Sequence, residues 1–278
     1  MLKKLWNKAV PKWYGFYFNG VSHVSKDRGA TLALQVFSTP RKGSILPFQH
    51  EFLETSQQQK LVNEEGFTQV YHWKGNGKTI LLAHGWESNA WRWKYLIEPL
   101  QKLDYNIIAI DAPAHGNSSG EEFTAVKYSR ILRSIIELYR PEIIVAHSVG
   151  AMATSFQESQ TPHSFIEKMV LLGSPNTLKA IMKDYQQLVG FSDRVYASLD
   201  RLLHRIYGFH IKDFNTEDFV AQIECPVLLI HNKSDAIVPY ESMLQIAAQS
   251  PHATVYESKT GGHSLHTSEV VDQILAFL

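Results

Sequence analysis

The sequence predicts an α/β fold: a mainly parallel central sheet with helices on both faces and a small helical cap insertion. Three observations predict it. Short apolar runs recur at 79–83, 106–110, 142–146, 169–172 and 226–230, as strands of a sheet covered on both faces do. Stretches of helical spacing lie between them, such as 125–139, where Val126, Ile131, Ile135 and Leu138 recur on one face. The chain has 278 residues, of which 44% are hydrophobic and 19% charged, enough to bury one large core. Alternating strands and helices then imply right-handed crossovers in a parallel sheet.

Taken in order, the first ten residues carry early positive charge, but Lys8 and Lys12 interrupt any apolar stretch and no Ala-x-Ala site follows. A cleaved signal peptide is therefore not expected. Residues 13–18, Trp-Tyr-Gly-Phe-Tyr-Phe, are rich in aromatics beside Lys3, Lys4, Lys8 and Lys12. They are expected to pack on the body of the protein, with contact to a membrane surface as the alternative. Segments 31–37 and 67–73 read as strands pairing antiparallel at one edge, and Gly75-Asn-Gly77 as a tight turn. The triplet Gln57-Gln-Gln59 carries no signal. Residues 1–60 thus form an N-terminal extension with the first edge strand or strands, and 61–176 with 224–278 form the α/β core.

Residues 177–223 break the alternation. They hold no strand-like run, only helical patterns such as Leu178, Ile181, Met182, Tyr185 and Leu188. So long a crossover reads as a helical cap insertion over the strand ends, where open sheets bind ligands, with plain crossover helices as the alternative. A strand at 253–257 and a helix at 268–278 complete the chain.

Composition excludes several functions. Lys plus Arg and Asp plus Glu both number 27, so no basic surface for non-specific nucleic-acid binding is expected. No run of about 20 apolar residues is present to span a bilayer. Cys225 is the only cysteine, so no internal disulfide forms, which fits a reducing compartment. A soluble, cytoplasmic protein is expected, and the sequence leaves its oligomeric state open. Nucleotide-binding glycine motifs and paired Cys/His zinc spacings are absent, and His263 with His266 is too little for a metal site. No cofactor and no metal are expected.

The chemistry concentrates at 143–152, Ile-Ile-Val-Ala-His-Ser-Val-Gly-Ala-Met. An apolar strand runs into His147-Ser148-Val149-Gly150 and a small-residue helix follows. A nucleophilic serine needs such a turn, which thrusts its Oγ out of the sheet and aims helix N-terminal amides at a developing oxyanion. Three more motifs follow other strands: His84-Gly85-Trp86 after 79–83, Asp111-Ala-Pro-Ala-His-Gly-Asn-Ser118 after 106–110, and Asp235 within 231–239 after 226–230. His263 comes last, in Thr260-Gly-Gly-His-Ser264.

These four motifs and the closing histidine, in their order along the chain, resemble the α/β-hydrolase family over residues 66–278. Ala146 stands where the family's G-x-S-x-G elbow has its first glycine, Ala114 replaces a glycine of the D-x-P-G-H-G-x-S turn, and Asn232 and Lys233 occupy a loop where glycine is common. The resemblance implies Ser148 as nucleophile, His263 as base and Asp235 as its acid, with the backbone N–H groups of Trp86 and Val149 as oxyanion hole. Gly173-Ser-Pro-Asn176, a competing place for the acid, has no carboxylate. His266 rivals His263 but lacks the preceding glycines. His84, Asp111 and His115 are expected to serve loop geometry, and Trp86, His147, Trp91 and Tyr185 to line the substrate pocket.

The function implied is a serine hydrolase cleaving small or medium, largely apolar carboxylic esters through an acyl-enzyme. Carbon–carbon bond hydrolysis, perhydrolase or thioesterase chemistry, and a non-catalytic ligand-binding member, are the alternatives. An Asp nucleophile, as in dehalogenases and epoxide hydrolases, is excluded by Ser148. Arg92 reads as a surface charge, and Arg194, Arg201, His204 and Arg205 as a solvated helix face.

Overall fold

In a computed structural model that describes residues 2–278, with side chains from residue 9, eight strands form one sheet. They are β1 (Gln57–Asn63), β2 (Gly66–Trp73), β3 (Thr79–Ala83), β4 (Asn106–Ile110), β5 (Ile143–His147), β6 (Lys168–Leu172), β7 (Val227–Asn232) and β8 (Ala253–Ser258). Their order is β1-β2-β4-β3-β5-β6-β7-β8, antiparallel from β1 to β4 and parallel from there onward. The helices are α1 (Leu2–Val24), α2 (Lys26–Ser38), α3 (Pro47–Leu53), α4 (Lys94–Lys102), α5 (Ala125–Tyr139), α6 (Val149–Gln160), α7 (Leu178–Val189), α8 (Asp193–Tyr207), α9 (Thr216–Val220), α10 (Glu241–Gln249) and α11 (Ser268–Phe277).

Two compact units result. The larger comprises Pro40–Asn176 and Thr216–Leu278 and contains the whole sheet. Successive residues of each central strand point to opposite faces. Leu81, Ile108, Ile144 and Leu229 pack on one side with Ile131, Leu132 and Ile135 of α5. Ile80, Ile107, Val145 and Leu228 pack on the other with Leu96 and Leu100 of α4 and Ile274 of α11. Both faces are dry, so the central strands are apolar throughout.

The smaller unit joins the chain up to Thr39 with Thr177–Asn215. Helices α1, α2, α7 and α8 close around Phe18, Ala33, Met182, Phe191 and Leu199. Two expectations change here. Residues 31–37 are not a strand but lie within α2: Ser25 caps the helix by accepting from the Arg28 amide, and Ala30 and Ala33 bury their small side chains completely. The edge strand is instead β1, which begins at Gln57. The boundaries also differ, because residues 1–60 divide after Thr39 and 216–223 belong with the sheet. There Thr216 Oγ1 donates to the Pro175 carbonyl at 2.7 Å, and Val220 and Ile223 join the core.

Candidate active site

Strand β5 delivers Ser148 into a turn that few residues tolerate. Its backbone has φ 54° and ψ −128°, in the positive-φ region that strains a residue with a Cβ. The turn is held on both sides, by the Ser148 amide donating to the Leu172 carbonyl at 2.8 Å and by the Ala151 amide returning to the Ser148 carbonyl. Close approach of the loop after β3 requires two glycines. A Cβ on Gly150 would lie 2.3 Å from the His84 carbonyl oxygen, and one on Gly85 would lie 2.8 Å from Ser148 Cβ. Next to Gly85 and Ser148 stand the amides of Trp86 and Val149, and neither has an acceptor among the described residues.

The last two loops of the sheet bring up the partners. His263 Nε2 lies 3.1 Å from Ser148 Oγ, and His263 Nδ1 lies 2.7 Å from Asp235 Oδ2. The other oxygen of Asp235 accepts from the amides of Ile237 and Val238 at 2.8 and 3.0 Å. Burial pushes the Asp235 carboxyl up, but His231, His263 and those two amides outweigh it and hold it well below the usual carboxylate range. With the carboxylate fixed as acceptor, His263 carries its proton on Nδ1 and presents a bare Nε2 to the serine.

Several side chains position this histidine, among them His147, which the sequence assigns to the pocket wall and the structure ties to the histidine's own loop. His147 is 6% exposed, and its Nε2 donates to the His263 carbonyl at 2.8 Å. Burial, reinforced by Arg92 and His263, holds its imidazole well below the ordinary histidine range, so it stays neutral. Arg92 is no surface charge: it is 7% exposed, lies over the Trp93 ring and donates to the Ser264 carbonyl at 3.0 Å. Burial lowers its guanidinium pKa to about 10. Asn232, buried where the sequence departs from glycine, donates to the carbonyls of Ser258 and Thr260 and so ties the acid's loop to the histidine's. His231 Nε2 sits 3.2 Å from Asp235 Oδ2 and 2.9 Å from the Val238 carbonyl. Apart from those of His231, which lie within its own loop, these contacts join positions 26 or more residues apart, and no local motif announces them.

The remaining histidines and Asp111 build the loops. Fully buried His84 donates from Nδ1 to the Gly85 carbonyl and accepts the Ala112 amide on Nε2; burial keeps it neutral. His115 accepts the Glu87 amide at 2.9 Å. Asp111 accepts from the amides of Ala90 and Asn117 and from the Tyr71 hydroxyl. Burial raises its carboxyl to about 6 against the pull of those donors. His266, the rival base, packs against Tyr95 with ring centroids 4.4 Å apart and the rings tilted by 32°.

The pocket candidates scatter. The half-buried Trp86 ring packs on His115 and Phe123 beside the elbow loop. Trp91 meets Phe48 edge-on and joins the core beneath α4. Tyr185 belongs to the helical unit, where its hydroxyl donates to the Ala33 carbonyl at 2.9 Å and its ring packs on Phe37 and Phe191. Among the described residues, no group of three or more His, Cys, Asp or Glu side chains could hold a metal ion, and no helix is long and apolar enough to cross a membrane.

Comparison with known proteins agrees with the fold. A model described as the alpha/beta hydrolase family matches residues 80–276. The chain is 23% identical over 241 residues to an uncharacterized hydrolase, YugF, of Bacillus subtilis, covering 69% of this chain and 86% of that protein. It is 20% identical over 242 residues to the pimeloyl-[acyl-carrier protein] methyl ester esterase of Vibrio parahaemolyticus, covering 71% and 92%. An esterase structure from Exiguobacterium antarcticum superposes with a TM-score of 0.62 at 14% identity, over 80% of this chain and 99% of that one.

Proposed function

The chain belongs to the alpha/beta hydrolase family, and we propose that within it the protein is a serine hydrolase acting on carboxylic esters of small or medium, largely apolar acyl groups. The observation that carries this reading is the unbroken chain of hydrogen bonds from Asp235 through His263 to Ser148. A serine hydroxyl is a poor nucleophile at neutral pH until a base removes its proton. His263 Nε2 takes that proton as Ser148 Oγ attacks the ester carbonyl carbon, and Asp235 stabilises the imidazolium that forms. The carbonyl oxygen becomes an oxyanion, for which the amides of Trp86 and Val149 are the available donors. His263 then protonates the departing alkoxide, leaving an acyl-serine. Water, deprotonated by the same imidazole, attacks the acyl carbon, and the imidazolium returns that proton to Ser148 Oγ as the acid departs.

The buried tethers support the same reading. His147 and Arg92 grip the carbonyls of residues 263 and 264, so the base is held in place rather than left on a free loop. The relatives include a methyl ester esterase, whose substrate is of the class proposed here. A panel of p-nitrophenyl esters of increasing acyl length, with wild type and Ser148→Ala side by side, tests the proposal. Turnover that falls by about 10³-fold or more in the variant is expected. Equal turnover by the two proteins would remove Ser148 from the chemistry.

A further inference from the structure

The formal net charge of zero conceals a strong separation. The helical unit contains 12 Lys or Arg against 5 Asp or Glu, a net of +7, while the sheet unit contains 15 against 22, a net of −7. Within the helical unit, the first 26 residues carry Lys3, Lys4, Lys8, Lys12 and Lys26 and no acid before Asp27. The same segment bears the aromatic cluster of α1.

Among the described residues, one side of that cluster is used for packing. Phe18 is 1% exposed and faces Phe191, and Gly15 lets α1 approach so closely that a Cβ there would lie 2.3 Å from the Val189 carbonyl oxygen. The opposite side is open. Trp13 is 62% exposed, Phe16 77%, Tyr17 42% and Val24 92%. With Gly20 and Val21 these residues line a shallow apolar groove of about 390 Å³. Trp13 and Tyr17 stack with ring centroids 5.7 Å apart, one helical turn from each other. The stripe follows the helical repeat over three turns and presents rings where a soluble surface normally carries charge.

We propose that this face of α1 docks on an anionic bilayer surface. Trp, Tyr and Phe on one side of a helix insert at the headgroup boundary, and positive charge carried by the same unit draws it to anionic lipid. The unit's excess of 7 positive charges supplies the complementarity to a lipid sheet of negative sign. The proposal is independent of the catalytic reading, because it concerns a face of the helical unit and none of the residues assigned to chemistry.

Co-sedimentation of the full chain with sucrose-loaded vesicles tests it, comparing pure phosphatidylcholine with a mixture holding about 30% phosphatidylglycerol at about 0.1 M salt. Partitioning onto the anionic vesicles is expected to exceed that onto neutral ones by about tenfold or more, and to weaken at about 1 M salt. The triple variant W13S/F16S/Y17S is expected to lose about tenfold or more, with its circular dichroism unchanged. If the triple variant does not fold, Phe16→Ser alone carries the test, with an expected loss of about threefold. Equal binding to both vesicle types, or a folded variant that binds like wild type, overturns the proposal. So does wild type that ignores vesicles but forms a dimer in light-scattering chromatography that the variant dissolves, which assigns the face to a second copy.

Discussion

Replacing Asp235 with Asn probes the site's logic without changing its shape. In the native site one carboxylate oxygen accepts two backbone amides, from Ile237 and Val238, and the other faces His263 Nδ1 at 2.7 Å. An asparagine keeps its carbonyl oxygen on the amides, because its NH₂ cannot accept them. The NH₂ is then forced toward His263 Nδ1, which must become an acceptor. The imidazole proton moves to Nε2, and the atom 3.1 Å from Ser148 Oγ becomes a donor that cannot take the serine's proton. His231 Nε2 retains the Val238 carbonyl as its acceptor, so the fold survives. The expected loss in kcat is about 10⁴-fold, or about 5.5 kcal/mol at 1.36 kcal/mol per decade. KM is expected to stay near wild type, since the substrate's ground-state contacts are untouched. Steady-state kinetics on a p-nitrophenyl ester, with circular dichroism as the folding check, decides it. A variant within tenfold of wild-type kcat would refute the tautomer argument and with it Asp235 as the acid.

Two further outcomes follow from the geometry. Gly85→Ala places a Cβ 2.8 Å from Ser148 Cβ and 2.9 Å from the His147 carbonyl oxygen, so the loop bearing Trp86 must retreat. A drop of about 10²-fold in kcat and a destabilisation of about 1–3 kcal/mol are expected from kinetics and urea unfolding, and unaltered kinetics would show that the loop's position is immaterial. Acid is the second perturbation. Burial holds His84, His115 and His147 below the ordinary histidine range, so the unfolded chain binds protons that the folded one refuses. Their contribution to stability is complete above about pH 6.5 and is lost as pH falls through it, by up to about 2 kcal/mol each at pH 5. Asp111, raised to about 6 by burial, works in the opposite direction by about 1.4 kcal/mol over the same interval, too little to reverse the trend. The Asp235 carboxylate, held low, adds its own loss only below about pH 4. Urea midpoints at pH 7.5 and 5.0 check this, and equal midpoints would contradict the neutral burial of the three histidines.

The central sheet and the grouping of Ser148, Asp235 and His263 were legible because Ser148 and Asp235 follow apolar strands and the order of the motifs constrains all three together. What stayed hidden depended on distance or on weak local pattern. Segment 31–37, Thr-Leu-Ala-Leu-Gln-Val-Phe, is a short apolar run that can pass for a strand, and only the Ser25 cap and the two buried alanines reveal α2. Strand β1 sits at the sheet edge with most of its side chains in solvent, so it carries no hydrophobic signature to read. Arg92 and His147 grip a loop 172 and 116 residues away. A charged side chain 93% buried without a carboxylate partner runs against the usual expectation for arginine. Similarly, the separation of charge between the units vanishes in the total, because it depends on which distant segments fold together.

The most direct test of an activated serine is the intact mass of the protein after exposure to a fluorophosphonate, followed by peptide mapping. Attack on phosphorus requires a deprotonated Ser148 Oγ and donors for the phosphoryl oxygen, the same two features that ester cleavage needs. The account predicts one adduct per chain, on Ser148, and none on Ser148→Ala. Folded wild-type protein that remains unmodified, or an adduct on any other residue, would contradict it.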